Sequence, residues 1–467
     1  EIGPSKGHLY NFDCCPGRLA TWAIGPPYHT SLFPVLENRH QFRKIAIMGF
    51  IHKKVVNRRT FVANMALVAP SVAGSLTLAS QKHGVAQPLE QESAANRKTV
   101  QAAESRNIMV YRDPFAYCSH ASMARLSNGD WIVAFNECQR RNPYTHPPQD
   151  HHIHNLLIRS TDNGKTWSPP QAIPGWEWYG VECPGLAELR DGTVVLNQWQ
   201  FLWYPIDVGR KLAAEGKEIM VNTGNGFRVA GPDTNWSESR YPWARANGGC
   251  YIHMSTDRGH TWDRTVKIDT APYVGGYTPR GVVQLEDGTL LMCTADHPLN
   301  QNAFAVHSRD GGKSWEKPVS IGRKGGEDFS EPTAVVLPGN RVYALIRNDD
   351  TDYLQKVESN DGGQTWGPVH ATPIWGCPAH LLRLSDGRLL ATYGHRRPPF
   401  SIRACVSEDM GKTWKYDREI VISDVPTGNL GYPVTIEYGP AKLFTIFYAE
   451  DGSSVTCIQG SYWQAPS

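Results

Sequence analysis

The sequence predicts an all-β protein, a six-bladed β-propeller built from four-stranded antiparallel blades. The first observation is an eight-residue pattern, S-x-D-x-G-x-[ST]-W, which recurs every roughly 50 residues with one double-length gap. The second is a strand–turn–strand stretch, usually centred on L-x-[DN]-G, which occurs six times. Repeated supersecondary units of this length are typical of propellers, because each unit is one blade. The copies of the first pattern lie at 160–167, 255–262, 308–315, 359–366 and 407–414.

The eight-residue pattern has the chemistry of a hairpin tip. Its Asp side chain can accept hydrogen bonds from backbone amides of a tight turn, and its Gly can adopt a positive φ. The Trp begins the returning strand, where it is expected to pack in the core. We therefore predict that each copy joins the third strand of a blade to the fourth.

The strand–turn–strand stretches predict the first and second strands of the blades. Residues 203–248, which are rich in Gly, Pro, Asn and Trp, form an insertion that accounts for the long gap between the first two turn copies. A seventh blade stays open as an alternative if this insertion forms a blade of its own, although it lacks strand alternation. The six stretches are SHASMARLSNGDWIVAF, CPGLAELRDGTVVLNQW, PRGVVQLEDGTLLMCTA, EPTAVVLPGNRVYALIR, PAHLLRLSDGRLLATYG and YPVTIEYGPAKLFTIFY.

The predicted propeller occupies residues 106–467, and its last blade is incomplete in sequence order. The sixth unit starts at Tyr432, and the sequence ends before another turn copy. We expect residues 107–111 to supply the missing outer strand, which would close the ring and leave no open sheet edge.

The residues before the propeller resemble an export signal. A basic region with Arg58 and Arg59 precedes an apolar run over residues 61–79. We expect translation to begin at Met48, so that residues 1–47 are a non-native upstream extension. Residues 48–86 then form a twin-arginine signal peptide, and residues 87–105 form a linker.

This arrangement predicts an exported protein, periplasmic or extracellular. The alternative is a disordered basic leader without an export role. Pro70 and Gly74 interrupt the short apolar run, so we expect no membrane span.

The charge balance excludes one large class of partner. The chain has 47 basic and 45 acidic residues and a formal net charge of +2, so net charge implies no nucleic-acid surface. The cysteines and the cluster of His151, His152 and His154 match no standard metal-ligand spacing. We therefore expect no metal or cofactor, and we expect a monomer.

The candidate site lies where the inner strands of the blades begin, because the blades of a propeller converge on one axis. Charged side chains recur at these entrances and at the ends of the second strands, including Arg347, Arg396 and Arg397. A closed core does not tolerate this much charge, so the entrances are expected to line a wet pocket. Arg280 is a substrate-binding candidate among the entrance residues, which are His120, Cys183, Arg280, Glu331, His380 and Tyr432.

The repeated turn is identified as the Asp box of the sialidase superfamily, and the resemblance covers residues 107 to 467. Glu331 in FSEPTAVVLPGNRVYALIRND is similar to the sialidase glutamate that precedes a substrate-binding arginine by one hairpin, and Arg347 stands at that arginine's place. Arg397 or its neighbour Arg396 stands where the family has a further arginine. Tyr432 in GNLGYPVTIEY resembles the nucleophilic tyrosine.

The resemblance implies a glycan substrate with a carboxylate and a retaining mechanism. Tyr432 would attack the sugar, Glu331 would take the phenol proton, and arginines would hold the carboxylate. Asp150, in the loop RRNPYTHPPQDHHIH, stands in the region where the family has its acid/base aspartate. The implied activity is an exo-glycosidase of the sialidase type.

The first inner strand departs from the family pattern. Sialidases have R-I-P at this position, whereas residues 120–122 read H-A-S, so His120 replaces the arginine. Arg112, in YRDP, is a displaced candidate for that arginine. His120 also suits proton abstraction from a uronic acid, so a polysaccharide lyase or a rhamnosidase-type enzyme centred on His120 stays open as an alternative. A third alternative is a non-catalytic glycan-binding propeller, with Glu331 and Arg347 as a structural ion pair and Tyr432 as a packing residue.

Overall fold

The structure is a computed structural model that describes residues 98–141, 146–174, 179–224, 226–297, 300–322 and 328–466. The predicted upstream extension, signal peptide and first part of the linker lie outside the described residues. Two strands open the described chain, β1 (Val100–Gln101) and β2 (Ala103–Tyr111).

The first two blades follow in chain order. Blade 1 consists of β3 (Ala116–Arg125), β4 (Trp131–Gln139), β5 (His154–Ser160) and β6 (Gln171–Ala172). Blade 2 consists of β7 (Tyr179–Glu188), β8 (Val194–Pro205), β11 (Trp243–Ser255) and β12 (Arg264–Ile268), and between β8 and β11 it carries α1 (Ile206–Ala214), β9 (Met220–Val221) and β10 (Arg228–Val229).

Blades 3 to 6 repeat the same antiparallel order from the inner to the outer strand. Blade 3 has β13 (Val283–Gln284), β14 (Leu290–Ala295), β15 (Ala303–Ser308) and β16 (Val319–Gly322), and blade 4 has β17 (Phe329–Leu337), β18 (Arg341–Asn348), β19 (Tyr353–Ser359) and β20 (His370–Trp375). Blade 5 has β21 (Ala379–Arg383), β22 (Leu389–His395), β23 (Ser401–Ser407) and β24 (Ile420–Asp424), and blade 6 has β25 (Leu430–Gly439), β26 (Lys442–Glu450) and β27 (Thr456–Gln464). The described strands thus confirm the predicted six-bladed propeller.

The N-terminal strand β2 completes blade 6. It pairs antiparallel with β27, with Asn107 opposite Ser461 and Tyr111 opposite Ile458. The predicted closure at 107–111 is therefore present, although the strand begins earlier, at Ala103. Strand β1 pairs in parallel with β24, with Val100 opposite Ile420. Both strands begin inside the stretch predicted as a linker, 87–105, because the outer edges of blades 5 and 6 offer unpaired backbone groups to an adjacent chain.

The insertion belongs to blade 2 and does not form a seventh blade. Its strands β9 and β10 join the blade 2 sheet through β11, where Met220 lies opposite Arg245. Helix α1 packs beside β8 and β11, and an aromatic cluster fills the space below the insertion. No helix in the described part of the chain is both long and apolar enough to cross a membrane.

The repeated turns close by side-chain hydrogen bonds, as the sequence predicts. In the first copy, Asp162 Oδ1 accepts from the backbone N–H and Oδ2 accepts from the hydroxyl of Thr166, while Ser160 Oγ accepts from the N–H of Gly164. Gly164 has φ +79° and lies against the ring of Trp131, so that a Cβ there would be 2.6 Å from a ring carbon. The same Ser, Asp and Gly contacts recur in the other four copies.

Candidate active site

Four inner strands have a β-bulge at the same position, near the end where each strand begins beside the central axis. In β3, β7, β17 and β25 the pairing with the second strand shifts, which places a bulge at the matched position. The bulged residues have positive φ, a region that costs a non-glycine residue about 1–3 kcal/mol. Bulges of this kind re-aim a side chain, here toward the axis. The four residues are His120 (φ 49°), Cys183 (53°), Glu331 (46°) and Tyr432 (54°).

The bulges of blades 4 and 6 bring Glu331 and Tyr432 into contact. The Tyr432 hydroxyl donates a hydrogen bond to Oε1 of Glu331. Arg347, on the neighbouring strand β18, donates to the other oxygen, Oε2, at 2.7 Å. Both Glu331 and Tyr432 are buried, and the Arg347 side chain, which also pairs with Asp349 at 2.6 Å, is 21% exposed.

The local charges set the protonation states of this pair. Burial by itself would raise the pKa of Glu331, but the charge of Arg347 and the hydrogen bond from Tyr432 outweigh it and lower that pKa below its usual value. Burial and the charge of Glu331 raise the pKa of Tyr432 well above its usual value. The resting site therefore pairs a neutral phenol with a carboxylate, which is the pairing of a nucleophile with its base.

Tyr277 and Glu182 extend this contact across the axis. The Tyr277 hydroxyl lies 2.9 Å from Oε1 of Glu331 and 3.2 Å from the Tyr432 hydroxyl. It lies 3.4 Å from Oε1 of Glu182, which comes from blade 2. Neither residue is among the candidates that the sequence offers. Glu182 precedes the bulged Cys183 directly, so its position beside an entrance residue was the available signal, whereas Tyr277 lies in the loop before β13 and offers none.

Of the two neighbouring arginines that the sequence proposes, Arg396 lies at the site. It donates to the backbone oxygen of Leu430 at 2.8 Å and to the Tyr448 hydroxyl at 3.3 Å, and its guanidinium carbon is 5.9 Å from the centre of the Tyr432 ring. Arg397 is exposed and packs on the ring of Trp375, 4.0 Å from its centre. The substrate-binding role of Arg397 stays a prediction.

No hydrogen bond among the described residues joins Arg280 or Arg112 to Tyr432, although the charges of Glu331 and Tyr432 act on Arg280. Arg280 is buried and donates from Nε to the backbone oxygen of Ala379, and its two terminal nitrogens have no hydrogen-bond partner among the described residues. It lines a cavity of about 370 Å³ between the inner strands, together with His380. Arg112 pairs with Asp451 at 2.7 Å. The role of Arg112 in place of the missing arginine stays a prediction.

Asp150 is held by an ion pair outside the Tyr432 network. It ends the short 3-10 turn Pro147–Gln149 and is buried. Both of its oxygens accept hydrogen bonds from Arg141, and Oδ1 also accepts from the N–H of His152 at 2.9 Å. Among the contacts of the described residues, none joins Asp150 to Tyr432 or Glu331. The acid role of Asp150 stays a prediction.

His120 lies in the centre of the site. Its ring is 4.1 Å from the Tyr432 ring, edge to face, and its Nδ1 is 2.7 Å from Ser119 Oγ. Its Nε2 is 3.6 Å from Oε1 of Glu182 and has no hydrogen-bond partner within the described part of the chain. Burial lowers the pKa of His120 well below its usual value, and the imidazole is therefore neutral.

His120, Glu182 and Cys183 place one donor atom each within 4.8 Å of one another. The positive charges of Arg347 and Arg396 act on His120, and that of Arg245 acts on Glu182. Three guanidinium groups around one small buried volume oppose a divalent cation. This donor set therefore does not fit a metal centre.

Arg245 is a further buried cation near the site, and it is not among the candidates that the sequence offers. It comes from β11, on the return from the insertion, and donates to the backbone oxygen of Pro148. Its guanidinium lies over the rings of Trp199, Phe201 and Phe227 at 4.5 to 5.1 Å. The insertion therefore contributes to the wall of the site through an arginine held by aromatic rings.

Comparison with protein families agrees with the repeats. A model described as a BNR repeat-like domain matches residues 231–444, and a BNR/Asp-box repeat model matches residues 158–169. A sialidase from Bacteroides fragilis is 24% identical over 308 residues, which is 60% of this chain and 51% of that protein. The chain spans about half the length of the curated relatives it matches.

Solved structures share the architecture at low sequence identity. A crystal structure of a protein of unknown function from Dyadobacter fermentans has a TM-score of 0.65 and 23% identity, covering 78% of this chain and 99% of that chain. The NanB sialidase from Streptococcus pneumoniae has a TM-score of 0.53 and 14% identity, covering 76% of this chain and 70% of that chain. Together with the five Asp boxes and the six blades, these matches support a sialidase-like β-propeller with BNR repeats.

Proposed function

We propose that this protein is a retaining exo-glycosidase of the sialidase type that hydrolyses a terminal acidic sugar from a glycan. The observation that carries the proposal is the Tyr432–Glu331 hydrogen bond with Arg347 on the second carboxylate oxygen. Because Arg347 keeps Glu331 ionised, the carboxylate can accept the phenol proton as the Tyr432 oxygen attacks the anomeric carbon. The resulting tyrosyl–sugar bond would then be hydrolysed, which retains configuration.

The charges around the pair favour an anionic substrate. A neutral phenol does not repel a sugar carboxylate, whereas a carboxylate nucleophile would. Arg347 and Arg396 both lie beside Tyr432, and an arginine fork pairs well with a carboxylate. His120 stands where the family has another arginine, so we expect a weaker hold on the carboxylate or a different acidic sugar from that of typical sialidases.

The test is hydrolysis of an umbelliferyl α-sialoside and covalent trapping with a difluoro-sialic acid. We expect release of the fluorophore and a mass increase on the peptide that contains Tyr432. Acidic oligosaccharides are incubated in parallel, with free sialic acid and unsaturated uronate read separately. Hydrolysis without any adduct on Tyr432 would contradict the proposed nucleophile, and binding without turnover of any probe would favour a glycan-binding propeller.

The second candidate is a lyase-type reaction in which His120 removes a proton from a uronic acid. The observation that favours it is the neutral imidazole of His120, whose Nε2 lacks a hydrogen-bond partner among the described residues and lies beside the Tyr432 ring. A neutral buried imidazole can act as a base. Appearance of unsaturated uronate, with no free sialic acid, would select this candidate.

We also propose export through the twin-arginine segment. Arg58 and Arg59 precede an apolar run of the length and composition of a signal peptide, with small residues beyond it. Replacement of both arginines by Lys should hold the precursor in the cytoplasm, as measured by fractionation. Unchanged export of that variant would contradict the assignment.

A further inference from the structure

Glu182 is a second carboxyl group of the site, and its surroundings differ from those of Glu331. It is 2% exposed and comes from β7, immediately before the bulge at Cys183. Glu331 has a guanidinium at 2.7 Å, whereas Oε1 of Glu182 contacts, among the described residues, the Tyr277 hydroxyl at 3.4 Å and His120 Nε2 at 3.6 Å. Two carboxyl groups of one site thus have opposite environments.

A single tyrosine oxygen connects the two carboxyl groups. Tyr277 can donate its proton to Glu331 and accept one from Glu182, so that the three groups form a directional chain. If Glu182 is protonated and Glu331 is ionised, each proton in this series of hydrogen bonds has one acceptor: Glu182 donates to Tyr277, and Tyr277 donates to Glu331.

The burial of Glu182 agrees with this proton arrangement. Burial raises the pKa of Glu182 to about 8, and the charge of Arg245 only partly offsets it. The pKa of Glu331 is instead lowered by Arg347 and Tyr432 against the effect of burial. Two carboxyl groups with pKa values pushed apart are the pattern of an acid and a base in one active site.

We propose that Glu182 is the proton donor to the leaving group, with Tyr277 as a positioning residue that orients its carboxyl. This inference rests on the proposed glycosidase function. It replaces Asp150 in that role, because both oxygens of Asp150 are already engaged by the cation Arg141.

The proposed reaction has two steps. The Tyr432 oxygen forms a bond to the anomeric carbon while its proton passes to Glu331, and the glycosidic C–O bond breaks as its oxygen takes the proton of Glu182. The products are the tyrosyl–sugar intermediate, the free alcohol, a protonated Glu331 and an ionised Glu182. In the second step Glu182 accepts a proton from the attacking water, and the departing Tyr432 oxygen recovers its proton from Glu331.

The groups that face Glu182 come from several blades. His120 on β3 is neutral, since burial lowers its pKa, and Arg245 on β11 carries the nearest interacting positive charge. Tyr277 before β13 and Cys183 on β7 both have pKa values raised well above their usual range by burial. The proton of Glu182 is therefore the one in this group expected to dissociate just above neutral pH.

The experiment compares leaving groups in Glu182→Gln. The umbelliferone of an umbelliferyl sialoside can leave as an anion without protonation. The lactose of sialyllactose is a poorer leaving group, and its oxygen needs a proton. We expect kcat/KM of the variant to fall roughly 100-fold or more on sialyllactose and less than about tenfold on the umbelliferyl probe, the range that general acids contribute. The matched control, Asp150→Asn, should change both probes by the same factor.

Each other outcome decides the question. Selectivity in Asp150→Asn and none in Glu182→Gln would overturn the proposal and restore Asp150. If Glu182→Gln does not fold, the wild-type protein supplies the test, because kcat/KM on sialyllactose should fall as the pH rises through about 8. A profile without that decline overturns the proposal. If the wild-type protein cleaves neither probe, the glycosidase function itself fails, and the role of Glu182 falls with it.

Discussion

The hydroxyl of Tyr432 donates a hydrogen bond to the carboxylate of Glu331, although 101 residues separate them in the sequence. Each residue sits on a bulge of an inner strand, with φ of 54° and 46° respectively. Positive φ is costly for both side chains, so the two strands hold a strained backbone that aims both groups at the axis. Strained backbone at both residues and a hydrogen bond between their side chains therefore occur at the same place, which is common at functional sites.

Replacement of Tyr432 by Phe should abolish hydrolysis and leave binding of an acidic sugar largely unchanged. The change removes one oxygen that acts in bond formation and keeps the ring that packs on His120. Turnover of an umbelliferyl sialoside and calorimetric binding of sialic acid measure the two effects separately.

The control for this prediction is His120→Ala. If Tyr432→Phe keeps full activity while His120→Ala loses it, the tyrosine nucleophile is wrong and the histidine-centred reaction takes its place. Thermal denaturation of both variants checks that the propeller is still folded, because His120 is fully buried.

Replacement of Arg396 by Ala should raise KM for an acidic substrate by about tenfold or more, the loss of one charge-assisted contact. Arg396 lies beside the Tyr432 ring, whereas Arg397 packs on Trp375. Arg397→Ala is therefore the matched control, and it should change KM little. Equal effects of the two substitutions on KM would contradict the prediction that Arg396, and not Arg397, binds the substrate carboxylate.

Replacement of Val110 by Asp should destabilise the propeller, and Met109→Asp should not. The two residues are neighbours on the closing strand β2, but Val110 is 8% exposed and Met109 is 46% exposed. Burying an unpaired carboxylate beside the core costs several kcal/mol, whereas an exposed one costs little. Melting temperatures of the two variants test whether this strand is part of the folded ring. Similar melting temperatures would place the strand outside it.

The Asp boxes should make the protein sensitive to strong acid. Hydrogen bonds from Thr166 lower the pKa of Asp162 to about 2 from its usual 3.8, and hydrogen bonds from the following hydroxyl residues lower those of Asp257 and Asp310. A depressed pKa in the folded state contributes stability above the unfolded pKa, and that stability is lost as the pH falls toward 2. The melting temperature should therefore drop between about pH 4 and pH 2.

A substituted Asp box provides the comparison for that prediction. Asp162→Asn keeps the shape of the side chain and removes its titration, so the melting temperature of this variant should be lower at neutral pH and should depend less on pH in the acid range. A pH dependence as steep as that of the wild-type protein would mean that other groups cause the acid loss.

The blades were predictable because their signals are local. The Ser, Asp and Gly of each turn lie within a few residues of one another, and their hydrogen bonds form inside the same turn. Strand–turn–strand stretches likewise have their partners next to them in the chain. The closing strand was predictable for a related reason, since six inner strands and five turns leave one outer strand to be supplied.

The residues at the strand entrances were also predictable from the sequence. Together with the family pattern, they suggested the contact of Glu331 with Tyr432 and Arg347. The choice between Arg396 and Arg397 was not predictable, because adjacent residues in a loop differ only in direction. The ion pair of Asp150 with Arg141 was not predicted either, because the residue types alone do not specify that these two side chains meet.

The sequence by itself determined the repeat, the number of blades and the residues that open each inner strand, because turn chemistry and strand alternation act over a few residues. Only the tertiary structure decided that Tyr277 and Glu182 join the site, since 95 residues separate them from each other and 155 separate Tyr277 from Tyr432. Their meeting depends on how six blades close around one axis. That closure also buries Glu182, and the burial rather than the residue type raises the pKa of its carboxyl.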